Sequence, residues 1–186
     1  MTMNLTVIIA STRPGRAGEP IAKWFIERAE KHGAFDVTLA DLKEIALPLM
    51  DEPKHPRFHQ YEHEHTKRWS AIVDAADAFA IVTPEYNYSA PPALVNAVDY
   101  LFKEWAYKPA CFVSYGGVSG GLRSVQMTKQ LLTAVKVMPL PEAVTIPFFA
   151  TMLKEGVFHG NEELEKAIKP MLDELHRWAT ALKTLR

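Results

Sequence analysis

Residues 5–18 read Leu5-Thr6-Val7-Ile8-Ile9-Ala10-Ser11-Thr12-Arg13-Pro14-Gly15-Arg16-Ala17-Gly18. The first six are β-branched or apolar almost without interruption, as in a strand covered on both faces. The next eight bring hydroxyls, guanidinium groups, glycine and proline, which end a strand and form a turn. A helical pattern then begins at residue 18 and runs to 32. Strand, polar turn and helix in so short a stretch make half of a βαβ unit.

The same unit recurs along the chain. Phe79-Ala80-Ile81-Val82-Thr83 and Ala110-Cys111-Phe112-Val113-Ser114 are equally apolar. Asp36-Val37-Thr38-Leu39-Ala40 and Ala143-Val144-Thr145-Ile146 are weaker strand candidates. Helical patterns lie near 60–76, 92–105, 122–137 and 161–184, while 43–58 and 147–160 read as loops. Strands alternating with helices imply parallel pairing through right-handed crossovers. The expected fold is α/β: a doubly wound five-stranded parallel sheet in the order 2-1-3-4-5, with helices on both faces. A Rossmann half with a sixth strand is the rival.

Composition narrows the function. The chain has 186 residues, 48% of them hydrophobic and 23% charged, with a net charge of -1. That size suits one domain over residues 1–186, burying roughly 70% of its unfolded surface. A balanced charge with scattered basic residues predicts no nucleic-acid or membrane partner. The single cysteine, Cys111, allows no internal disulfide and fits a reducing compartment. Its place within a strand predicts a buried, inert thiol. Leu5–Ala10 is too short for a signal-peptide core, and no basic segment precedes it. A soluble, cytoplasmic protein is expected.

In an open α/β sheet, ligands bind beyond the carboxyl ends of the strands, where strand order reverses. For order 2-1-3-4-5 that point lies between the turns after strands 1 and 3. The first turn, Ser11 through Gly18, precedes a helix N-terminus, which presents unpaired N–H groups and partial positive charge. Ser11 and Thr12 add hydroxyls, Arg13 and Arg16 add charge, and Gly15 and Gly18 allow close backbone approach. A phosphate site is the expectation; a solvated polar turn is the plainer alternative. The turn matches neither G-x-G-x-x-G nor the P-loop, which disfavours a dinucleotide Rossmann site and a P-loop kinase.

After strand 3 comes Pro84-Glu85-Tyr86-Asn87-Tyr88-Ser89-Ala90-Pro91-Pro92. Its prolines stiffen a loop that can lie against a planar ring, and Ser89 is placed to cap the next helix. After strand 4 comes Tyr115-Gly116-Gly117-Val118-Ser119-Gly120-Gly121, whose glycines permit close approach of a ligand. Three such turns at one sheet edge say more than any one of them.

Together, Ser11-Thr12-Arg13-Pro14-Gly15-Arg16, Pro84-Glu85-Tyr86-Asn87 and Gly116 to Gly121 resemble the NADPH-dependent FMN reductase family. That is the flavodoxin-like group of quinone, azo-dye and chromate reductases. The motifs span residues 5–125, and the pattern of elements fits to the C-terminus. One departure is Ala10, where the family commonly has glycine. The resemblance implies a flavodoxin-like FMN-binding domain with NADPH or NADH as co-substrate. It places the FMN phosphate on Ser11, Arg13 and the turn through Ala17 and Gly18. The flavin ring would lie against Pro84, Glu85, Tyr86 and Asn87, with Tyr115 and Gly116 nearby. Hydride would pass from nicotinamide to FMN, then to a quinone, azo compound, metal oxyanion or free flavin. No side chain is expected to act as an indispensable acid or base.

Two rivals come from other classes. A flavodoxin-type electron carrier shares the fold, but such carriers are strongly acidic and this chain is not. His59-Gln60-Tyr61-Glu62-His63 fits H-x-x-E-H, the inverted zinc-protease pattern. A hydrolase of that kind needs a further ligand, and a solvated face at the start of a crossover helix is the better reading. Ser119 is taken as part of the glycine turn rather than as a nucleophile. Trp24, Phe25 and Trp178 sit at helical spacings that suggest packing. Leu94, Val95, Val98, Leu101 and Phe102 cover more than one helical stripe, which with the resemblance predicts a homodimer or tetramer.

Overall fold

The computed structural model describes residues 2–186; Met1 of the expected 1–186 span lies outside the described residues. Five parallel strands form one sheet in the order β2-β1-β3-β4-β5. They are β1 (Met3–Ile9), β2 (Phe35–Asp41), β3 (Ala78–Pro84), β4 (Pro109–Tyr115) and β5 (Met138–Ile146). The connecting helices are α1 (Gly18–His32), the single turn α2 (Leu42–Ile45), α3 (Glu64–Ala75), α4 (Pro92–Asp99) and α5 (Leu122–Ala134). A separate two-stranded hairpin, β6 (Leu153–Lys154) and β7 (Val157–Phe158), precedes α6 (Glu162–Leu182). No sixth strand joins the large sheet among the described residues, so the Rossmann half is excluded.

Successive side chains along a strand face opposite ways, and the core divides accordingly. Leu5, Val7 and Ile9 of β1 pack with Ile21 and Phe25 of α1 and Leu172 and Leu175 of α6. Ile8 faces the other way, joining Phe79, Phe112, Trp69 of α3 and Val98 of α4. Every residue of β3 and β4 is buried, which is why these two runs carry no polar alternation. Each such Leu, Ile or Phe contributes about 1.5–3 kcal/mol by leaving water. Cys111 lies within this core, and burial pushes its thiol up to about 12.

Several boundaries differ from the sequence reading. The expected strand at 143–146 begins at Met138, because Pro139 and Pro141 are tolerated on an edge strand at an irregularity. The expected helix at 60–76 begins only at Glu64. The two residues before it are held from a distance: the Glu52 carboxylate accepts from Glu62 N at 2.9 Å and His63 N at 3.0 Å. The expected helix at 92–105 stops at Asp99, and Leu101 is buried beyond it. The helix expected to 137 stops at Ala134. Both expected loops contain short structure: α2 and a 3-10 turn at Pro56–Phe58 in the first, the β6–β7 hairpin in the second.

Ser89 does not cap α4. Pro91 occupies the cap position without a side-chain bond, and the Ser89 hydroxyl donates to Met127 Sδ instead. The apolar excess of α4 is also explained within the chain: Leu94, Val98 and Leu101 are buried against the α3 side of the core. The second stripe therefore gives no argument for an oligomer.

Candidate functional site

The sheet order places the turn after β1 beside the turn after β3 at the carboxyl edge. Within the first turn the two arginines have different fates. Arg16 reaches back to donate to the Ser11 carbonyl and forms a two-pronged ion pair with Asp41 at the end of β2. Its side chain is 6% exposed and that of Asp41 13%, so the pair belongs to the framework. Asp41 also caps α2 by accepting from Lys43 N at 3.0 Å. The hydrogen bond to Asp41 holds the Arg16 guanidinium above its ordinary value, leaving it charged. Arg13, by contrast, is exposed, and its guanidinium has no hydrogen-bond or carboxylate partner among the described residues. Thr12 is exposed and borders a neighbouring groove with Lys43 and Asn96 rather than the main cleft. Gly15 is exposed at φ 70°, a turn conformation with open space around it.

Ser11 is fully buried behind this turn. Tyr115, at the end of β4, donates its hydroxyl to Ser11 Oγ at 3.1 Å. Burial raises the Tyr115 phenol to about 12, so at neutral pH it remains a donor. Gly18 makes room for the pair: a Cβ there would sit 2.4 Å from Ser11 Oγ and 2.9 Å from Tyr115 Oη.

The turn after β3 is a two-residue reversal. Tyr86 and Ser89 exchange backbone hydrogen bonds of 3.0 and 2.9 Å, and Asn87 and Tyr88 both take positive φ, 50° and 67°. Asparagine tolerates that conformation; a tyrosine there is an uncommon, strained choice. Glu85, just before the reversal, has its carboxylate fully bonded. It accepts from Ser119 Oγ at 3.0 Å and from Arg123 N at 3.1 Å, and pairs with the Arg123 guanidinium. Burial alone would raise the Glu85 carboxyl, but the bonds from Arg123 and Ser119 outweigh it and hold it below the usual range.

These turns enclose a cavity of about 230 Å3 between Arg13, Ala17, Pro84, Tyr86, Tyr115 and the Gly116–Gly117 turn. Arg16 and Glu85 also border it. A wider cleft of about 610 Å3 lies alongside, bordered by Arg13, Tyr86, Asn87 and Ala90. Phe149 closes the smaller cavity and packs edge-on against Tyr115 with ring centroids 5.2 Å apart. The sequence reading passed over Phe149, although Pro147-Phe148-Phe149 after the last strand was a usable signal.

The model of a family described as NADPH-dependent FMN reductase matches residues 3–151. The chain belongs to that family. An NAD(P)H-dependent FMN reductase of Schizosaccharomyces pombe is 37% identical over 150 residues, covering 79% of this chain and 75% of its relative. A Pseudomonas putida quinone reductase is 30% identical over 184 residues, 94% of each chain. Among solved structures, the flavoenzyme NAD(P)H:acceptor oxidoreductase FerB of Paracoccus denitrificans superimposes with a TM-score of 0.76. It covers 97% of this chain and 98% of its own at 23% identity, which speaks to the fold. This member of the FMN reductase family is thus an oxidoreductase using FMN and NAD(P)H, not a bare electron carrier.

The zinc-hydrolase alternative fails on geometry. His59 ends the 3-10 turn at φ 53° and lies 3.2 Å from the buried carboxylate of Glu104. His63 precedes α3 and stacks on His65, so the two histidines of H-x-x-E-H share no helix face. Gly117-Val118-Ser119-Gly120-Gly121 has the spacing of a hydrolase elbow, but the Ser119 hydroxyl is given to Glu85.

Proposed function

We propose that residues 1–186 form a single cytoplasmic domain that holds FMN at the carboxyl edge of the sheet. NADPH or NADH is the electron donor, and the acceptor is a small molecule: a quinone, an azo compound, a metal oxyanion or free flavin. The observation that carries the reading is Arg13, an unpaired guanidinium beside a helix N-terminus, in a turn whose other arginine is committed to Asp41. The N–H groups of Thr12, Arg13 and Ala17 have no backbone partner among the described residues, so the turn presents donors to an anion. Because Ser11 Oγ already accepts from Tyr115, its own proton is left to donate outward. This donor set fits a phosphate monoester. The apolar and aromatic walls alongside, Pro84, Tyr86, Tyr115 and Phe149, fit a planar ring.

When bound, FMN supplies the hydride chemistry, accepting from NAD(P)H and reducing the acceptor. The chain's part is to bind, orient and cover. Arg13 and the turn amides hold the phosphate, Pro84 and Tyr86 border the ring, and Gly116 and Gly117 let the backbone approach it. The names of the relatives support the acceptor class: besides the quinone reductase, a Bacillus NADPH azoreductase is 27% identical over 175 residues.

The purified protein should be yellow, or become so with FMN, and bleach anaerobically on adding NADPH. Flavin released by heat should chromatograph as FMN, since only one phosphate turn is present; FAD as the main species would overturn the reading. Initial rates over a grid of NADPH and quinone concentrations should give parallel double-reciprocal lines. Pro84, Tyr115 and Phe149 close the cleft from behind while Asn87 and Tyr88 stand exposed at its mouth, so both substrates use one approach in turn. Intersecting lines would show that both bind together.

A homodimer or tetramer is part of this reading, with the mouth of the cleft near the interface. Around that mouth Tyr88 is 70% exposed and Val118 78%, with Leu122, Met127 and Phe148 also exposed. An apolar rim of this kind marks an interaction surface. Light scattering at micromolar concentration should give at least twice the chain mass of 20.9 kDa. A monomer's mass would remove the oligomer.

A further inference from the structure

We propose that Glu85 and Arg123 are positioning residues, a brace that holds the strained Tyr86–Ser89 reversal against the glycine turn and so sets the slot for the flavin ring. The proposal rests on the FMN-binding reading above. Three observations meet in it.

The Glu85 carboxylate ties the turn after β3 to the turn after β4 and to the first turn of α5, and it is fully engaged. It takes the Ser119 hydroxyl, the Arg123 backbone N–H and the Arg123 guanidinium at once. Its side chain is 7% exposed, so these bonds are shielded from water; that of Arg123 is 45% exposed and has solvent on its outer side. The second observation is that the same guanidinium lies over the Tyr88 ring, 3.9 Å from its centroid. A planar guanidinium can pair and stack together, which an ammonium cannot. The third is the backbone of the reversal. Asn87 and Tyr88 both hold positive φ, and a tyrosine keeps that conformation only where its surroundings enforce it. Arg123 supplies that enforcement from the ring side and Glu85 from the base of the turn.

The consequence is geometric. Tyr86 and Asn87, the residues set to border the ring, are carried on a reversal that is held to Ser119 of the glycine turn through Glu85 and to Arg123 of α5 through both Glu85 and Tyr88. Release of the brace lets the reversal relax toward an unstrained turn, and the reacting atoms lose alignment. Misplacement on the scale of 1 Å costs on the order of 100-fold in rate. Binding of the phosphate, at Arg13 and the turn after β1, is left largely alone.

The test uses Arg123→Leu, Arg123→Lys and the double variant Glu85→Gln/Arg123→Leu, each saturated with FMN. The double variant matters because Arg123→Leu alone leaves a shielded carboxylate without its cation, whereas the pair of changes removes the charge as well. Anaerobic stopped flow should show flavin reduction by NADPH slowed about 10-fold to 100-fold in all three. The KM for NADPH should stay within about threefold, and the flavin absorbance bands and visible circular dichroism should shift from wild type. Lysine should not rescue, because it restores charge without the fork or the stack. A double variant with the wild-type rate and flavin spectrum would overturn the brace, as would full rescue by lysine. Wild-type protein that neither retains FMN nor reacts with NADPH would overturn the FMN reading itself, a result visible in the same samples before any variant is compared.

Discussion

Gly121→Ala is expected to lower the melting temperature of the protein by roughly 10 °C. Gly121 caps α5 at φ 87°, in the left-handed region. A Cβ there would stand 2.9 Å from both the backbone N and O of Tyr115 and 3.0 Å from the Ser114 Cβ. Those atoms belong to β4, a fully buried strand tied on both sides to β3 and β5. They cannot retreat as the end of a flexible side chain would. The left-handed conformation costs a non-glycine residue about 1–2 kcal/mol. Forcing the contact apart costs about 1–3 kcal/mol more. Any displacement passes to Tyr115 and thence to its bond with Ser11, so FMN affinity should fall together with stability. Gly117→Ala is the control, because nothing lies within 4 Å of a Cβ built there. Thermal melts of both variants without FMN decide the matter. A Gly121→Ala melt within about 1 °C of wild type would mean that the turn yields where the contacts say it cannot.

The central strands were legible because burial on both faces leaves a continuous apolar run, and β1, β3 and β4 lie within two residues of where the sequence put them. The edges were less so. Strand β5 carries Pro139 and Pro141, which read as loop in a one-dimensional pattern although an edge strand has no use for every donor. The start of α3 was misplaced because the Glu52 carboxylate holds the backbone of Glu62 and His63 just ahead of the helix, a tie ten residues long that local rules do not see.

The site shows the same division. That three turns would meet at one edge followed from strand order alone, and the structure puts them there. What each charged side chain does in those turns did not follow. Arg13 and Arg16 look equivalent in sequence, yet one is free and the other is claimed by Asp41, 25 residues away. Glu85 reads as a wall of the ring site and does border the cavity, but its carboxylate is also paired with Arg123, 38 residues on. Pairings between turns depend on where the strands end relative to one another, which no local pattern encodes.

That asymmetry between the two arginines predicts opposite phenotypes. Arg13→Ala should weaken FMN binding by about 10-fold to 100-fold, the loss of a charge-assisted bond worth about 1.5–3 kcal/mol. Stability without FMN should not change, because the side chain is exposed and has no partner to lose. The affinity that remains should depend less on salt, since one exposed charge no longer attracts the phosphate. Arg16→Ala should do the reverse. It strips a shielded Asp41 of its cation and releases the Ser11 carbonyl, and breaking a buried pair costs about 3 kcal/mol. Its effect on FMN should be secondary, arriving through a loosened turn and recoverable at saturating flavin. Flavin fluorescence titrations at two ionic strengths, with melts of the apoproteins, separate the two. If Arg16→Ala proved the poorer FMN binder while remaining as stable as wild type, the ion pair with Asp41 would have to open on binding. The phosphate would then have displaced the carboxylate, and the division of labour argued here would be wrong.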